Sequence, residues 1–323
     1  MGMLDGKVVV VTGAGRGLGR AEALECARQG AAVVVAEFDP ATGSQVVDEI
    51  RAAGGRATLV SGDISDTEVA EKLVTVAVEE FGGLDALVNN AGIAREGLMF
   101  RLSDEQWDDV VRVHLRGTFA PSRAACRYWL RARRPGRLVH TTSVFGLLGQ
   151  YRYANYGAAK GGVASFSAIV AMEMARFGVT SNAIAPIAHT GMIAEALSDE
   201  DRQAVEEQMA NDEFFFFDQD NVAPLVAFLC SAESGHISGK VFGVQGDSVE
   251  IYQPATSVAE ITAGGRRWDV EELAGRMDEL FEASGIVPGP ENMMERFRYY
   301  SESGLATPTG LTPPGQTVPS RRG

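Results

Sequence analysis

The chain has 323 residues, a net charge of -14 and 45% hydrophobic residues. That length can bury one large core or two small ones, and the acidic excess repels nucleic-acid backbones and anionic lipid surfaces, so neither is an expected partner. A phosphate-bearing small ligand is not excluded, because local backbone N–H groups can hold one against the global field.

The start, "MGMLDGKVVVVTG", carries charges on both sides of an apolar run too short for a signal peptide or a membrane span, so a cytoplasmic protein is expected. "KVVVVT" (Lys7–Thr12) is a buried-strand pattern, followed by a Gly-rich turn and a helix through Gln29. "AVVVAE" (Ala32–Glu37) repeats the strand pattern before a helix over Thr42–Ala53. "ATLVSGD" (Ala57–Asp63), a helix over Asp66–Phe81 and "DALVNNAG" (Asp85–Gly92) continue the alternation. A long helical region follows from Ser103 to Arg133, with Ser103 and Gln106 spaced as a capping box and Gly117 and Pro121 placed to bend it. "GRLVHTTS" (Gly136–Ser143), a helix over Tyr153–Phe177, "VTSNAIAP" (Val179–Pro186) and "GKVFGVQG" (Gly239–Gly246) complete seven strands. Continuous apolar runs separated by helices imply a parallel sheet covered on both faces. The predicted fold is therefore α/β: a Rossmann-type, doubly wound, seven-stranded parallel sheet over residues 1–247. Residues 248–323 read as an extension with one amphipathic helix, Val270–Ser284, and a Pro- and Gly-rich end. Cys26, Cys126 and Cys230 lie far apart in helical runs, and no Cys/His spacing fits zinc, so free thiols and no metal are expected.

"TGAGRGLG" (Thr12–Gly19) follows the first strand and opens a helix. Gly13, Gly17 and Gly19 allow a tight turn and a close backbone approach, and Arg16, Leu18 and the helix N-terminus complete a cradle for a pyrophosphate. Glu37, at the end of the second strand, can bind a ribose diol and repels a 2′-phosphate, which favours NAD over NADP. Arg16 pulls the other way, and Asp39 reads as a helix cap. Asp63 and Ile64 are placed to frame the adenine, although Asp63 also suits a cap. Asn90, Ala91 and Gly92 of "NNAG" end the fourth strand beside the expected cofactor, where an ordinary turn is the alternative.

Tyr156 and Lys160 are four residues apart, on one helical face, and Ser143 ends the fifth strand. An ammonium beside a phenol lowers its pKa, giving a group that can exchange a proton with an alcohol or carbonyl. A serine hydroxyl can orient the substrate oxygen. Tyr151 and Tyr153 lack a lysine at that spacing.

With TGxxxGxG, NNAG, Ser143 and YxxxK in order, the chain resembles the short-chain dehydrogenase/reductase family over residues 5–246. The resemblance implies hydride transfer between a nicotinamide and a secondary alcohol or ketone. Tyr156 would be the acid/base, Ser143 the substrate orienter, and Lys160 the partner of both phenol and nicotinamide ribose. It also implies a homodimer or homotetramer. "VHLRGTF", "ANYGAAKGGV", "SNAIAP" and "NVAPLVAFLCS" are further similar to the (3R)-hydroxyacyl-CoA dehydrogenase part of the peroxisomal multifunctional enzyme and its bacterial relatives, some of which act on hydroxysteroids. An NADPH-dependent 3-oxoacyl reductase and a non-catalytic dinucleotide-binding scaffold are the alternatives.

The chain departs from the family pattern twice. After the sixth strand it reads "PIAHTGM", so Pro186, Ile187 and a displaced Thr190 are the candidate cofactor contacts, with His189 beside them. His114 stands where the family has an active-site asparagine whose main-chain carbonyl holds a relay water, so it is either a structural or a relay residue. "FFFF" (Phe214–Phe217) is expected to supply a pocket wall, a subunit contact or core, and the tail to cover the cleft or a neighbouring subunit.

Overall fold

The computed structural model describes residues 2–188, 215–253 and 255–290. The expectations for Phe214, His189, Thr190 and the Pro-rich end lie outside those residues.

The alternation reads out as β1 (Val8–Thr12), α1 (Gly17–Arg28), β2 (Ala32–Glu37), α2 (Pro40–Ala52), β3 (Arg56–Ser61), α3 (Thr67–Phe81) and β4 (Ala86–Asn89). Then come α4 (Asp104–Val111), α5 (Gly117–Ala132), β5 (Gly136–Thr141), the short α6 (Val144–Leu148), α7 (Ala154–Met174), β6 (Val179–Pro186), α8 (Ala223–Cys230) and β7 (Val241–Gln245). The last two described elements are β8 (Ser248–Tyr252) and α9 (Val270–Ser284).

Sheet order is β3-β2-β1-β4-β5-β6-β7-β8, and all pairs are parallel except β7 with β8. Period-two alternation divides the valines of β1 between two cores. Val9 and Val11 pack with Ala23 and Cys26 of α1 and Val226 and Leu229 of α8. Val8 and Val10 pack with Leu73 of α3, Trp129 of α5 and Met174 of α7. Each fully buried valine contributes roughly 1.5–3 kcal/mol, which is why an uninterrupted apolar strand is stable only when both its faces are covered.

The seven parallel strands are as expected, and an eighth, antiparallel one corrects the count. Gln245 pairs with Ser248 across the two residues Gly246 and Asp247, and Gly246 has φ +51°. A two-residue hairpin needs positive φ, which glycine supplies. The sheet therefore continues past residue 247 into the segment read as extension.

The long helical region also differs from expectation. Ser103 and Gln106 make the capping box, but α4 and α5 are joined by one π-helical stretch, Arg112–Arg116, which carries His114. The irregularity thus precedes Gly117, and Pro121 lies inside α5.

Strand order reverses between β1 and β4, and such a reversal opens a crevice at the C-terminal ends of the strands. Candidate residues follow the C-terminal ends of β1, β2, β3, β4, β5 and β6, while His114 lies in the π-helical stretch and Tyr156 and Lys160 on α7.

Candidate active site

The turn after β1 is a backbone device. Gly13 and Gly17 have φ of +64° and +60°. A Cβ on Gly13 would lie 2.7 Å from Ala91 Cα, and one on Gly19 would lie 2.2 Å from the Gly13 carbonyl oxygen. Neither contact is possible, so glycine alone lets α1 seat against the fourth-strand turn. Thr12 ties the two turns together: Asn90 N and Ala91 N donate to Thr12 Oγ1 (3.0 and 3.2 Å), and Asn90 Nδ2 donates to the carbonyls of Thr12 and Gly13 (3.1 and 3.3 Å). Arg16 is the N-cap residue of α1 but makes no side-chain capping bond, and Leu18 is half-buried beside it. The first N–H groups of α1 are left uncapped by side chains, which fits an anionic diphosphate at that helix end.

Glu37 Oε2 accepts from Gly15 N at 2.8 Å and its Oε1 from Phe38 N at 2.9 Å. The carboxylate is thus fixed at the rim, half-buried, with acceptor capacity left for a ribose hydroxyl. Asp39 caps α2 through Ala41 N, as expected. Asp63 caps no helix. Its Oδ1 accepts from Ser65 N and Ser65 Oγ, and its Oδ2 pairs with Arg112. Burial works to raise its pKa, but these hydrogen bonds and the guanidinium together hold it below the ordinary value. Ile64 is buried against Gly117.

On the other side of the crevice, Ser143 caps α6 through Phe145 N (3.2 Å), and its hydroxyl is close enough to the Tyr156 phenol to act on its ionisation. Lys160 lies one turn beyond Tyr156, with Nζ 5.7 Å from the phenol ring centroid. Lys160 is buried; Nζ donates to the Thr141 carbonyl, while its own carbonyl accepts from Thr142 Oγ1 at 2.7 Å. Burial pushes Lys160 down to about 7, against the opposing pull of Glu22. Burial also raises Tyr156, and the Ser143 hydroxyl works against that rise. The lowered phenol expected from sequence spacing is therefore not what the packing produces, because desolvation disfavours the charged form of both groups. Asn155, fully buried, holds the base of the phenol-bearing turn: its Nδ2 donates to the carbonyls of Arg95 (2.8 Å) and Gln106 (3.1 Å).

His114 is buried, with its ring edge-on to Tyr156 at 5.0 Å. Its Nε2 lies 2.7 Å from the Ile93 carbonyl oxygen and 3.1 Å from Ile93 N. The shorter contact places the proton on Nε2, leaving buried Nδ1 as an acceptor without a partner among the described residues. Burial first, and Lys160 second, push His114 down to about 3, so it is neutral at ordinary pH. Its carbonyl accepts from Thr118 Oγ1 at 2.7 Å. A Cβ on Gly92 would come within 2.3 Å of His114 Cε1, so this glycine makes room for the imidazole. Phe145 and Tyr153 add aromatic rings beside Tyr156, at 6.2 and 6.0 Å. Tyr153 is itself pushed up to about 12, chiefly by burial and then by Glu96.

Residues 7–202 match the model of the short chain dehydrogenase family. The chain belongs to that family. This short-chain dehydrogenase is 41% identical over 293 residues to the hydroxyacyl-CoA dehydrogenase ChsB1 of Mycobacterium tuberculosis, covering 86% of this chain and 89% of the relative. It is 41% identical to the peroxisomal hydratase-dehydrogenase-epimerase of Neurospora crassa, over 70% of this chain but 23% of that longer protein. A 3-oxoacyl-acyl-carrier-protein reductase of Vibrio cholerae is 37% identical over 75% of this chain and 97% of its own length. A short chain dehydrogenase from Mycobacterium avium superposes with a TM-score of 0.80 at 39% identity, covering 90% of this chain and 99% of that one.

The dehydrogenase's remaining candidates divide. Pro186 ends β6 and Ile187 N donates to the Val244 carbonyl at 2.9 Å, beside a small cluster of Val144, Phe145, Ala185 and Tyr252. Tyr252, from β8, thus reaches the strand ends that carry Ser143. Phe215 is buried and Phe216 packs on Gly246, so these two rings face the fold. Among the described residues no helix is long and apolar enough to cross a membrane. Sequence reasoning missed Thr12, Asn155, the Thr141 carbonyl and Glu22. Glu22 had a signal: with Gly19 and Cys26 it shares the inward face of α1, where a charge is out of place.

Proposed function

We propose that this short-chain dehydrogenase is an NAD-dependent enzyme acting on the secondary alcohol or ketone of a bulky apolar substrate, such as a 3-hydroxyacyl-CoA thioester or a hydroxysteroid-type compound. The observation that carries the reading is the convergence of Ser143, Tyr156 and Lys160 at the mouth of the crevice, with Glu37 across it. The names of the hydroxyacyl-CoA and peroxisomal relatives support the substrate class, and the aromatic rings of Phe145 and Tyr153 beside the phenol support an apolar one.

Bound nicotinamide dinucleotide supplies the hydride acceptor for oxidation and the donor for reduction. The Gly13–Gly19 turn would hold its diphosphate, Glu37 its adenosine ribose, Asp63 and Ile64 its adenine, and Asn90, Ala91, Gly92, Lys160, Pro186, Ile187 and Thr190 its nicotinamide half. The chain's own residues manage the oxygen end of the substrate. Ser143 Oγ donates to the alcohol or carbonyl oxygen, and Tyr156 Oη takes the alcohol proton in oxidation and returns it in reduction. Lys160, as ammonium, stabilises the phenolate that exists between those events.

A second reading, an NADPH-dependent 3-oxoacyl reductase, is favoured by the reductase relative and by exposed Arg16. Two unit charges 4 Å apart at a partly solvated rim repel by about 4 kcal/mol, so Glu37 against a 2′-phosphate outweighs one mobile arginine. Reduction of NAD and NADP with a panel of 3-hydroxyacyl-CoA esters and hydroxysteroids tests the proposal. The expected result is NAD turnover that Tyr156→Phe abolishes, with Glu37→Ser eroding the NAD preference by about 10- to 100-fold. Turnover with NADP alone would establish the second reading, and NAD binding without turnover a scaffold.

A further inference from the structure

The loop between β3 and α3 carries both residues assigned to the adenine, Asp63 and Ile64, and one neighbouring stretch of chain holds it in place. Arg112, the first residue of the π-helical stretch, pairs with Asp63 Oδ2 and donates to Ser65 Oγ at 3.3 Å. Arg116, the last residue of that stretch, donates from Nε to the Ser65 carbonyl at 2.9 Å. Arg123 of α5 donates to Thr67 Oγ1 at 3.2 Å. Gly117, directly after the stretch, seats the apolar member of the loop: a Cβ there would meet Ile64 Cγ1 at 3.1 Å.

Arg112 is a fork with a carboxylate on each prong. One terminal nitrogen serves Asp63 and Ser65, and the other donates to Asp109 Oδ1 of α4 at 3.0 Å. A planar guanidinium held at both ends cannot swing freely, so it fixes the direction of the Asp63 oxygen it meets. The acceptor capacity of Asp63 is then divided unevenly. Its Oδ1 takes Ser65 N at 2.9 Å and Ser65 Oγ at 2.7 Å, which fills both lone pairs. Its Oδ2 takes Arg112 and, among the described residues, keeps one lone pair. The Asp63 side chain is 34% exposed, so a ligand can reach it.

We propose that Arg112 is a specificity-determining positioning residue for the dinucleotide: it aims the remaining acceptor of Asp63 at the exocyclic amine of adenine, so that the chain reads the base. This rests on the assignment of Asp63 and Ile64 to the adenine. Adenine offers that acceptor an N–H donor, whereas hypoxanthine offers a carbonyl oxygen, which an ionised carboxylate cannot bond. Without Arg112, Asp63 is tethered through Oδ1 alone, and Oδ2 is free to turn away from the base.

Nicotinamide hypoxanthine dinucleotide differs from NAD in that one base, so calorimetry with both ligands on one protein preparation reads the discrimination directly. The wild type should prefer NAD by about tenfold or more. In Arg112→Met the preference should shrink to about threefold or less, with affinity for nicotinamide mononucleotide kept within about twofold. Arg112→Lys keeps the charge but not the planar fork, and should restore part of the preference. Each ratio compares two ligands on the same molecules, so a change in a variant's stability does not imitate the result. Arg112→Met with the wild-type preference, where Asp63→Ala has lost it, overturns the proposal and leaves Asp63 assigned to the adenine. A wild type that binds both dinucleotides equally overturns the adenine assignment itself, and the proposal with it.

Discussion

The two banks of the crevice are built on different principles. Along β1 and β2 the work is done by backbone: glycines that admit close contact, uncapped N–H groups, and one carboxylate pinned by main-chain donors. Along β5 and α7 it is done by side chains whose charged forms are all penalised by burial: Tyr156, Lys160 and neighbouring His114. A backbone site tolerates change outside its glycines and fails abruptly at them. A side-chain site can be tuned, because each pKa depends on several neighbours.

The largest effect should come from the side-chain bank. On the proposed mechanism Tyr156→Phe removes the oxygen that exchanges a proton with substrate, so kcat/KM for alcohol oxidation should fall by about 10³-fold or more with dinucleotide binding retained. The backbone bank should break next. Gly19→Ala puts a Cβ 2.2 Å from the Gly13 carbonyl oxygen, so calorimetry should record at least a tenfold loss of NAD affinity, roughly 1.4 kcal/mol. If Gly19→Ala bound NAD normally, the turn would not be the rigid cradle described.

Acid stability sharpens the contrast further. His114 and His140 have folded-state pKa values of about 3, below the 6.5 of an unfolded histidine. The unfolded chain therefore takes these protons first, so stability is full above pH 6.5 and falls as pH drops toward 3. Glu22, raised to about 8 from 4.5, acts in the opposite sense, its contribution being full below 4.5 and lost as pH rises toward 8. Urea unfolding across pH should show a loss of a few kcal/mol between pH 6.5 and 4, reduced in His140→Asn. The smallest effect belongs to His114→Asn, expected to leave kcat within about threefold, because the neutral imidazole holds Ile93 through hydrogen bonds that a carboxamide can also make. A loss matching that of Tyr156→Phe would show that the imidazole itself takes part.

The backbone bank was the more legible in sequence. Gly13, Gly17 and Gly19 announce themselves by spacing after an apolar strand, and Glu37 by its position at the next strand's end. The side-chain bank was legible in membership but not in energetics: Tyr156 and Lys160 follow from helical periodicity, whereas the burial that raises one and lowers the other comes from packing by other segments, with His114 against the phenol and the Thr141 carbonyl on the ammonium. The π-helical stretch was hidden because its residues satisfy the same periodicity as an ordinary helix. The antiparallel β8 was missed although Gly246–Asp247 is a hairpin signal, because the strand pairs at an edge and leaves Val249 and Ile251 exposed, blurring its apolar pattern. α9 was found to the residue, since Asp269 caps it and Gly285 ends it with φ +69°.

The interlock of Gly92 with His114 carries an evolutionary consequence. Any larger residue at 92 collides with the imidazole, so Gly92→Ala is harmful in this background but can be neutral once position 114 has a smaller side chain. The two positions are epistatic, and sequence change through them has an order: 114 must shrink before 92 can grow. A lineage that has acquired the histidine is thereby held to its glycine, and a descendant that loses the glycine cannot simply regain the histidine.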